Sequence, residues 1–289
     1  MKLRKNSFLR SCLGLGAAVF AFAALTSITK AVPYASGITT NGNNIHFILN
    51  EAADNVKVVF NGGASSQNLG ALAKGSHSFA LGAATSYRIE VTKSTAPTWT
   101  QISDDLNPLV RFYGPRGVAV NQRPNNLSLF GRVYVASTQA GTTTATPTAS
   151  NRTTGKGIYV LKADLTDALG QGDTEKTGGI AFDANVLSPF KIEVGEDNNL
   201  YIGDFSNNSA GVFRTDPNVD NGEVVLDQPG LGNSTVHTTC NGSPVAKGSL
   251  AGGNLTLWAI DGQWPGTGNR NRLLRWDIGS GPLPHNNPP

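Results

Sequence analysis

The chain has 289 residues, with 23 Lys and Arg against 20 Asp and Glu and a formal net charge of +3. Five of the basic residues (Lys2, Arg4, Lys5, Arg10 and Lys30) and none of the acidic ones fall in the first 31 positions, so the remainder carries 18 against 20, a net charge near −2. That balance gives no reason to expect a nucleic-acid partner, which needs a basic face to neutralise its phosphates.

At the N-terminus, MKLRKNSFLRS is basic and CLGLGAAVFAFAALTSI is apolar without a charge. This order reads as a secretory signal peptide over residues 1–31, cleaved near Ala31. The competing reading, a retained anchor, suffers because the run is short for a membrane span. Export to the periplasm or the exterior follows as the expectation, with no membrane span after cleavage. Cys12 precedes the apolar run, the wrong place for a lipoprotein cysteine. Cys240 is then the single remaining cysteine, so no intrachain disulfide forms and burial as a small hydrophobe is expected.

Residues 37–93 read as an all-β unit. The runs NNIHFILNEA, DNVKVVFNGG, SHSFAL and SYRIEVTK alternate or are β-branched, with Asn, Gly and Ser between them. Ile45, Phe47 and Leu49 share one strand face, and Val56, Val58 and Phe60 share another, so two sheets closing over them predict a small sandwich. "FILNEAADNVKVVFNGG" followed by "LGALAKGSHSFALG" resembles an Ig-like domain of the flagellar hook-capping type, found in secreted bacterial proteins. The resemblance implies a spacer or assembly module. Residues 94–108 read as a polar, Pro-punctuated linker, and TQAGTTTATPTASNRTTGKG (138–157) as a long exposed loop.

From residue 109 the chain repeats. PRGVAVN (115–121) aligns with PFKIEVG (189–195). RVYVAST (132–138) aligns with NLYIGDF (199–205) and, more loosely, TLWAIDG (256–262). GIYVLKAD, GVFRTD and RLLRWD form a third set, ending on Asp164, Asp216 and Asp277. A multi-strand unit recurring every ~40–50 residues plus insertions is the pattern of propeller blades. "SPFKIEVGEDNNLYIGDFSNNSAGVFRTD" resembles an NHL-type or gluconolactonase-like blade. The expected fold class is therefore all-β: an N-terminal Ig-like β-sandwich, then an incomplete β-propeller of about three blades over 109–289. Closed propellers use about four to eight blades, so either further blades come from a longer chain or from partner chains, or the units form a different β-fold.

Several clusters carry candidate chemistry. In the family pattern the aspartate and asparagines of DFSNN fix a turn between strands, and Asx side chains do satisfy backbone N–H groups in turns, which favours a structural reading of Asp204, Asn207 and Asn208. In DPNVDNGEVVLD, Asp216, Asn218 and Asp220 alternate, Gly222 turns the chain, and Asp227 follows. Alternating oxygen donors in a tight loop suit Ca²⁺, although the glycine is one position late, the last ligand is Asp, and a plain turn accounts for the same residues. By the gluconolactonase-like resemblance, Glu193 and Asp204, with Asn121 as a third, would hold a central divalent ion. The four histidines, His46, His77, His237 and His285, have no metal-spaced neighbours. Trp264, in a Gly/Pro loop, is a candidate ligand-binding residue for a sugar ring or a partner protein, whereas Trp258 and Trp276 read as core.

The expected role is a secreted or cell-surface modular scaffold that recognises a protein or glycan through blade loops without catalysis of its own. One alternative is a Ca²⁺-dependent lactonase-like hydrolase carried by a completed propeller. Another is a structural envelope protein.

Overall fold

A computed structural model of the chain describes residues 33–94, 103, 106–144, 151–182, 187–205, 211–226, 241–261 and 272–285. All of them belong to one unit, Ala31–Pro289. The expected signal segment, most of the expected linker, Asn207, Asn208, Asp227, His237, Cys240 and Trp264 lie outside the described residues.

The N-terminal region holds six strands: β1 (Ala35–Asn41), β2 (Asn44–Leu49), β3 (Ala53–Phe60), β4 (Ser65–Leu72), β5 (Gly75–Ala80) and β6 (Tyr87–Thr92). They form two antiparallel three-stranded sheets, ordered β1-β2-β5 and β4-β3-β6. Because side chains alternate along a strand, Ile45, Phe47 and Leu49 from β2 meet Val56, Val58 and Phe60 from β3 in one core with Phe79. Each such buried side chain contributes about 1.5–3 kcal/mol by leaving water. Asn61 closes one end, its Oδ1 accepting the Thr85 and Ser86 N–H groups at 2.9 and 3.2 Å. The sequence reading foresaw β2, β3, β5 and β6 but not β1 and β4, two edge strands.

The described residues from 115 onward form three further main sheets. The first is ordered β7-β8-β11, from β7 (Pro115–Val120), β8 (Val133–Ser137) and β11 (Gly157–Leu161); between the last two, β9 (Gly141–Thr142) and β10 (Thr153–Thr154) make a short separate hairpin. The second runs β12-β13-β14-β15, from β12 (Ile192–Val194), β13 (Leu200–Gly203), β14 (Val212–Thr215) and β15 (Gly222–Leu226). The third is β16-β17-β18, from β16 (Asn241–Lys247), β17 (Leu255–Asp261) and β18 (Arg272–Gly279). Pairing is antiparallel throughout. The three aligned sequence sets thus fall on the first, second and third strands of successive sheets. Among the described residues the chain is all-β, in six small sheets, and none closes into a barrel.

The sheets stack face to face. Tyr134, Ala136, Ile158 and Val160 of the first sheet share a core with Ile192, Val194, Leu200 and Ile202 of the second. On the opposite side of the second sheet, Tyr201, Val212 and Val225 share another with Ala246, Leu257, Ala259 and Trp276 of the third. The innermost strands approach so closely that a Cβ on Gly117 would sit 2.5 Å from the Phe190 carbonyl oxygen. Only glycine fits there.

Two sequence expectations change. The 138–157 stretch is not simply an exposed loop, because Arg152 within it is buried. Its guanidinium donates to the Leu109, Arg111 and Gly172 carbonyls at 2.6, 3.0 and 2.7 Å and to Asp173 at 2.9 Å, and it packs against the rings of both Phe112 and Tyr159. A low-complexity composition hid one residue that ties four segments together. Trp276 is core as expected, but Trp258 is only half-buried, since no described sheet covers its side of β17.

Candidate functional site

Asp204 directly follows β13, is fully buried, and donates its N–H to the Gly211 carbonyl at 3.0 Å. That bond carries the β13–β14 ladder one step beyond the strands.

Asp216 also opens a turn. Its carboxylate accepts the N–H groups of Asn218 at 2.8 Å, Asp220 at 3.2 Å and Asn221 at 2.6 Å, and the Asn221 side-chain amide at 3.0 Å. Burial disfavours the charge, but these donors outweigh it and hold the Asp216 pKa below the ordinary value. The neighbours are spread apart. Asn218 Oδ1 accepts from Arg132 at 2.8 Å, Asp220 pairs with Lys176, and Val219, at φ 55°, buries its side chain against the first sheet. Asp164 repeats the device one sheet earlier, capping Thr166 N–H at 3.1 Å. The four oxygens proposed for Ca²⁺ therefore include one carboxylate occupied by its own backbone, one amide held by Arg132 and one carboxylate turned to a lysine.

Glu193 lies in the middle of β12 on the face toward the third sheet, where Oε2 accepts the Ala246 N–H at 3.2 Å and Arg123 stands 3.9 Å away. Burial pushes its pKa up against the pull of that hydrogen bond and of Arg123 and Lys247. Asn121 is buried after the end of β7 and bonds Asn198, in the turn beyond β12, at 3.1 Å. Asp204 sits past the opposite end of β12, because Ile192 pairs with Ile202 and Phe190 N–H bonds the Gly203 carbonyl. The fold thus sets Asn121 and Asp204 at opposite ends of one strand, with Glu193 between them. Among the described residues no three His, Cys, Asp or Glu side chains converge. Of the histidines, His77 donates from Nε2 to the Ala73 carbonyl at 2.7 Å, and His285 is buried, which lowers its pKa.

A cleft that the sequence did not announce lies where the N-terminal sheets meet the first sheet of the stack. Gly37 and Ile38 N–H groups bond the Phe130 and Leu127 carbonyls, each at 3.0 Å, and Tyr34 meets Phe130 edge-on. Gly131, at φ 85°, lets the chain pass Ser36, whose Cβ would be 2.7 Å from a Cβ there. Beside this seam is a cavity of about 280 Å³ whose lining includes Ser36, His46, Ile48, Phe130, Arg132 and Lys162. Its polar edge is cationic and hydroxylic, and its floor is apolar. The lining comes from β1, β2, β5 and loops about fifty or more residues further along the chain, and no local motif marks such a site.

No family model matches the chain. Nor does any curated protein.

Proposed function

We propose that the protein is a secreted or cell-surface modular scaffold that binds its target without catalysis, with an Ig-like two-sheet module docked on an incomplete NHL-like propeller. The single observation that supports this reading best is the seam cleft. There Arg132 and Lys162 border an apolar floor of Ile48 and Phe130, a combination suited to the carboxylate and ring face of an acidic sugar. Arg132 is already oriented by the Pro217 carbonyl and Asn218, so ordering it on binding costs little. The reading is supported by structural contacts at three of the candidate residues: Asp216 caps a turn, Asp220 pairs with Lys176, and Glu193 bonds β16. The lactonase-like alternative needs residues from blades beyond the described ones.

Titration of the purified chain with oligogalacturonate by calorimetry tests the reading, alongside a lactone-hydrolysis assay with Ca²⁺ and with EDTA. Saturable binding, weakened several-fold by Lys162→Ala, and no turnover is the expected result. Absence of binding removes the cleft as the recognition surface. Ca²⁺-dependent hydrolysis lost in Glu193→Gln overturns the non-catalytic reading in favour of the hydrolase.

A further inference from the structure

Each sheet of the stack has two distinct faces in a conserved register. Pairing fixes the alignment: Tyr134 pairs with Val160, Tyr201 with Arg214, and Trp258 with Arg275. These aromatics therefore occupy the same place in successive sheets. Tyr134 points into the core shared with the second sheet and Tyr201 into the core shared with the third. By the same alternation Trp258 points away from the second sheet, because Leu257 and Ala259 on either side of it face that way.

This back face is built like the two that are covered, yet it is open. Leu273 occupies the register of Ile158 and Val212, which are both 0% exposed, but is itself 73% exposed. Ile260 occupies the register of Ala136, also fully buried, and is 50% exposed. Val245, across from Trp258, is exposed as well. Arg275 lies over the Trp258 ring at 5.6 Å and bonds Asp277, as Arg214 beside Tyr201 bonds Glu223 and Asp197.

The other end of the stack presents the complementary surface. In the second sheet Ile192 and Val194 of β12 are buried against the sheet before it. The aligned residues of β7 are Val118 and Val120, 66% and 39% exposed. The outer part of that same face is filled by Phe112 on Tyr159, so the open strip runs along the innermost strand, where the internal sheets approach most closely. Both internal interfaces join the back of one sheet to the front of the next, and one of each is left over. Contiguous apolar faces of this kind mark interaction surfaces.

We propose that the back of the third sheet, through Trp258, Ile260 and Leu273, docks on the front of the first sheet, at Val118 and Val120, of a second copy of the chain. The contact continues an interface that the chain already makes twice internally. It is head-to-tail, so it either closes a ring or extends. Two copies of three sheets give six, within the range of about four to eight that radial sheet stacks use to close.

Cysteine cross-linking of the full chain, with Cys12 and Cys240 replaced by serine, tests the proposal. Val118→Cys and Ile260→Cys chains are prepared separately, mixed, and treated with a short bismaleimide. A cross-linked dimer from the mixture and none from either variant alone is expected. Light scattering should give twice the chain mass, halved by Leu273→Asp, a change that an exposed side chain tolerates in the single copy. Dimer cross-linked from Ile260→Cys alone would mean a back-to-back contact and overturns the head-to-tail arrangement. A single-copy mass at the highest soluble concentration also overturns it, leaving the face to sheets other than those of a second copy.

Discussion

The two-sheet N-terminal region and the three-sheet stack bury similar side chains by different routes. In the first, each sheet has one dry face, and β2 alternates exposed and buried residues along Asn44–Leu49. Its core is complete within the sixty residues that form it. In the stack the middle sheet is dry on both faces, so β13 is buried at all four positions, and its core depends on segments far apart in sequence being held in register. The difference teaches where each region is vulnerable. The first rests on alternation, the second on a few clamps between distant segments.

Arg152 is the strongest clamp, so its loss should separate the two regions most. Arg152→Met keeps an unbranched stem of similar length but strips donors from the Leu109, Arg111 and Gly172 carbonyls. Gly172 is exposed and Leu109 and Arg111 are half-buried, so water meets part of the loss and a cost on the order of 2 kcal/mol is expected. Trp258 and Trp276 lie in β17 and β18, and residues 33–94 contain no tryptophan. Tryptophan fluorescence should therefore show the stack unfolding at lower urea while amides of β2 and β3 keep their protection from hydrogen exchange. Simultaneous loss of both signals would mean one cooperative unit and would break the comparison.

Glycines sharpen it at the next scale. Gly117 is needed for space: an added Cβ meets the Phe190 oxygen at 2.5 Å and Ile192 N at 3.2 Å, all backbone. Gly42, in the β1–β2 turn, has open space around it but a φ of 58°. Gly117→Ala should cost about 1–3 kcal/mol through overpacking, and Gly42→Ala roughly 1 kcal/mol through left-handed strain. Asparagine tells them apart, because it tolerates the left-handed region. Gly42→Asn should recover much of the thermal stability, and Gly117→Asn should be worse than alanine. Equal behaviour at the two sites would remove the distinction.

The same contrast governs what was legible in the sequence. Alternation announced β2 and β3 because half of each strand meets water. The continuous runs GIYVL and LYIG announced strands but not their two partners, since a doubly buried strand loses its period. β16, NGSPVAK, escaped altogether: a bulge between Gly242 and Val245 and Ser243 at φ 51° break its pattern. Of the candidate residues, Asp216 was readable as a turn former from local chemistry. The seam cleft was not, because Ser36 and His46 meet Arg132 and Lys162 only through tertiary docking.

The smallest effect expected distinguishes the turns of the stack by pH. Asp216 and Asp167 both cap turns through backbone N–H groups; Asp167 takes those of Leu169, Gly170 and Gly172 at 2.9, 2.8 and 2.7 Å. Burial opposes each charge, the donors outweigh it, and both pKa values fall below the ordinary one. The unfolded chain then binds protons first as pH drops. The stabilisation is present above the unfolded aspartate pKa, about 4, and fades as pH falls through the folded value. Glu193 has the opposite sign, because burial raises its pKa, so it erodes stability as pH rises through its own range. Asp216→Asn retains an oxygen for the turn but cannot titrate, so its melting temperature should decline less steeply than that of the wild type between neutral pH and pH 3. An unchanged acid slope would show that the Asp216 turn is already open before the transition, and that the stack is held there by its apolar faces alone.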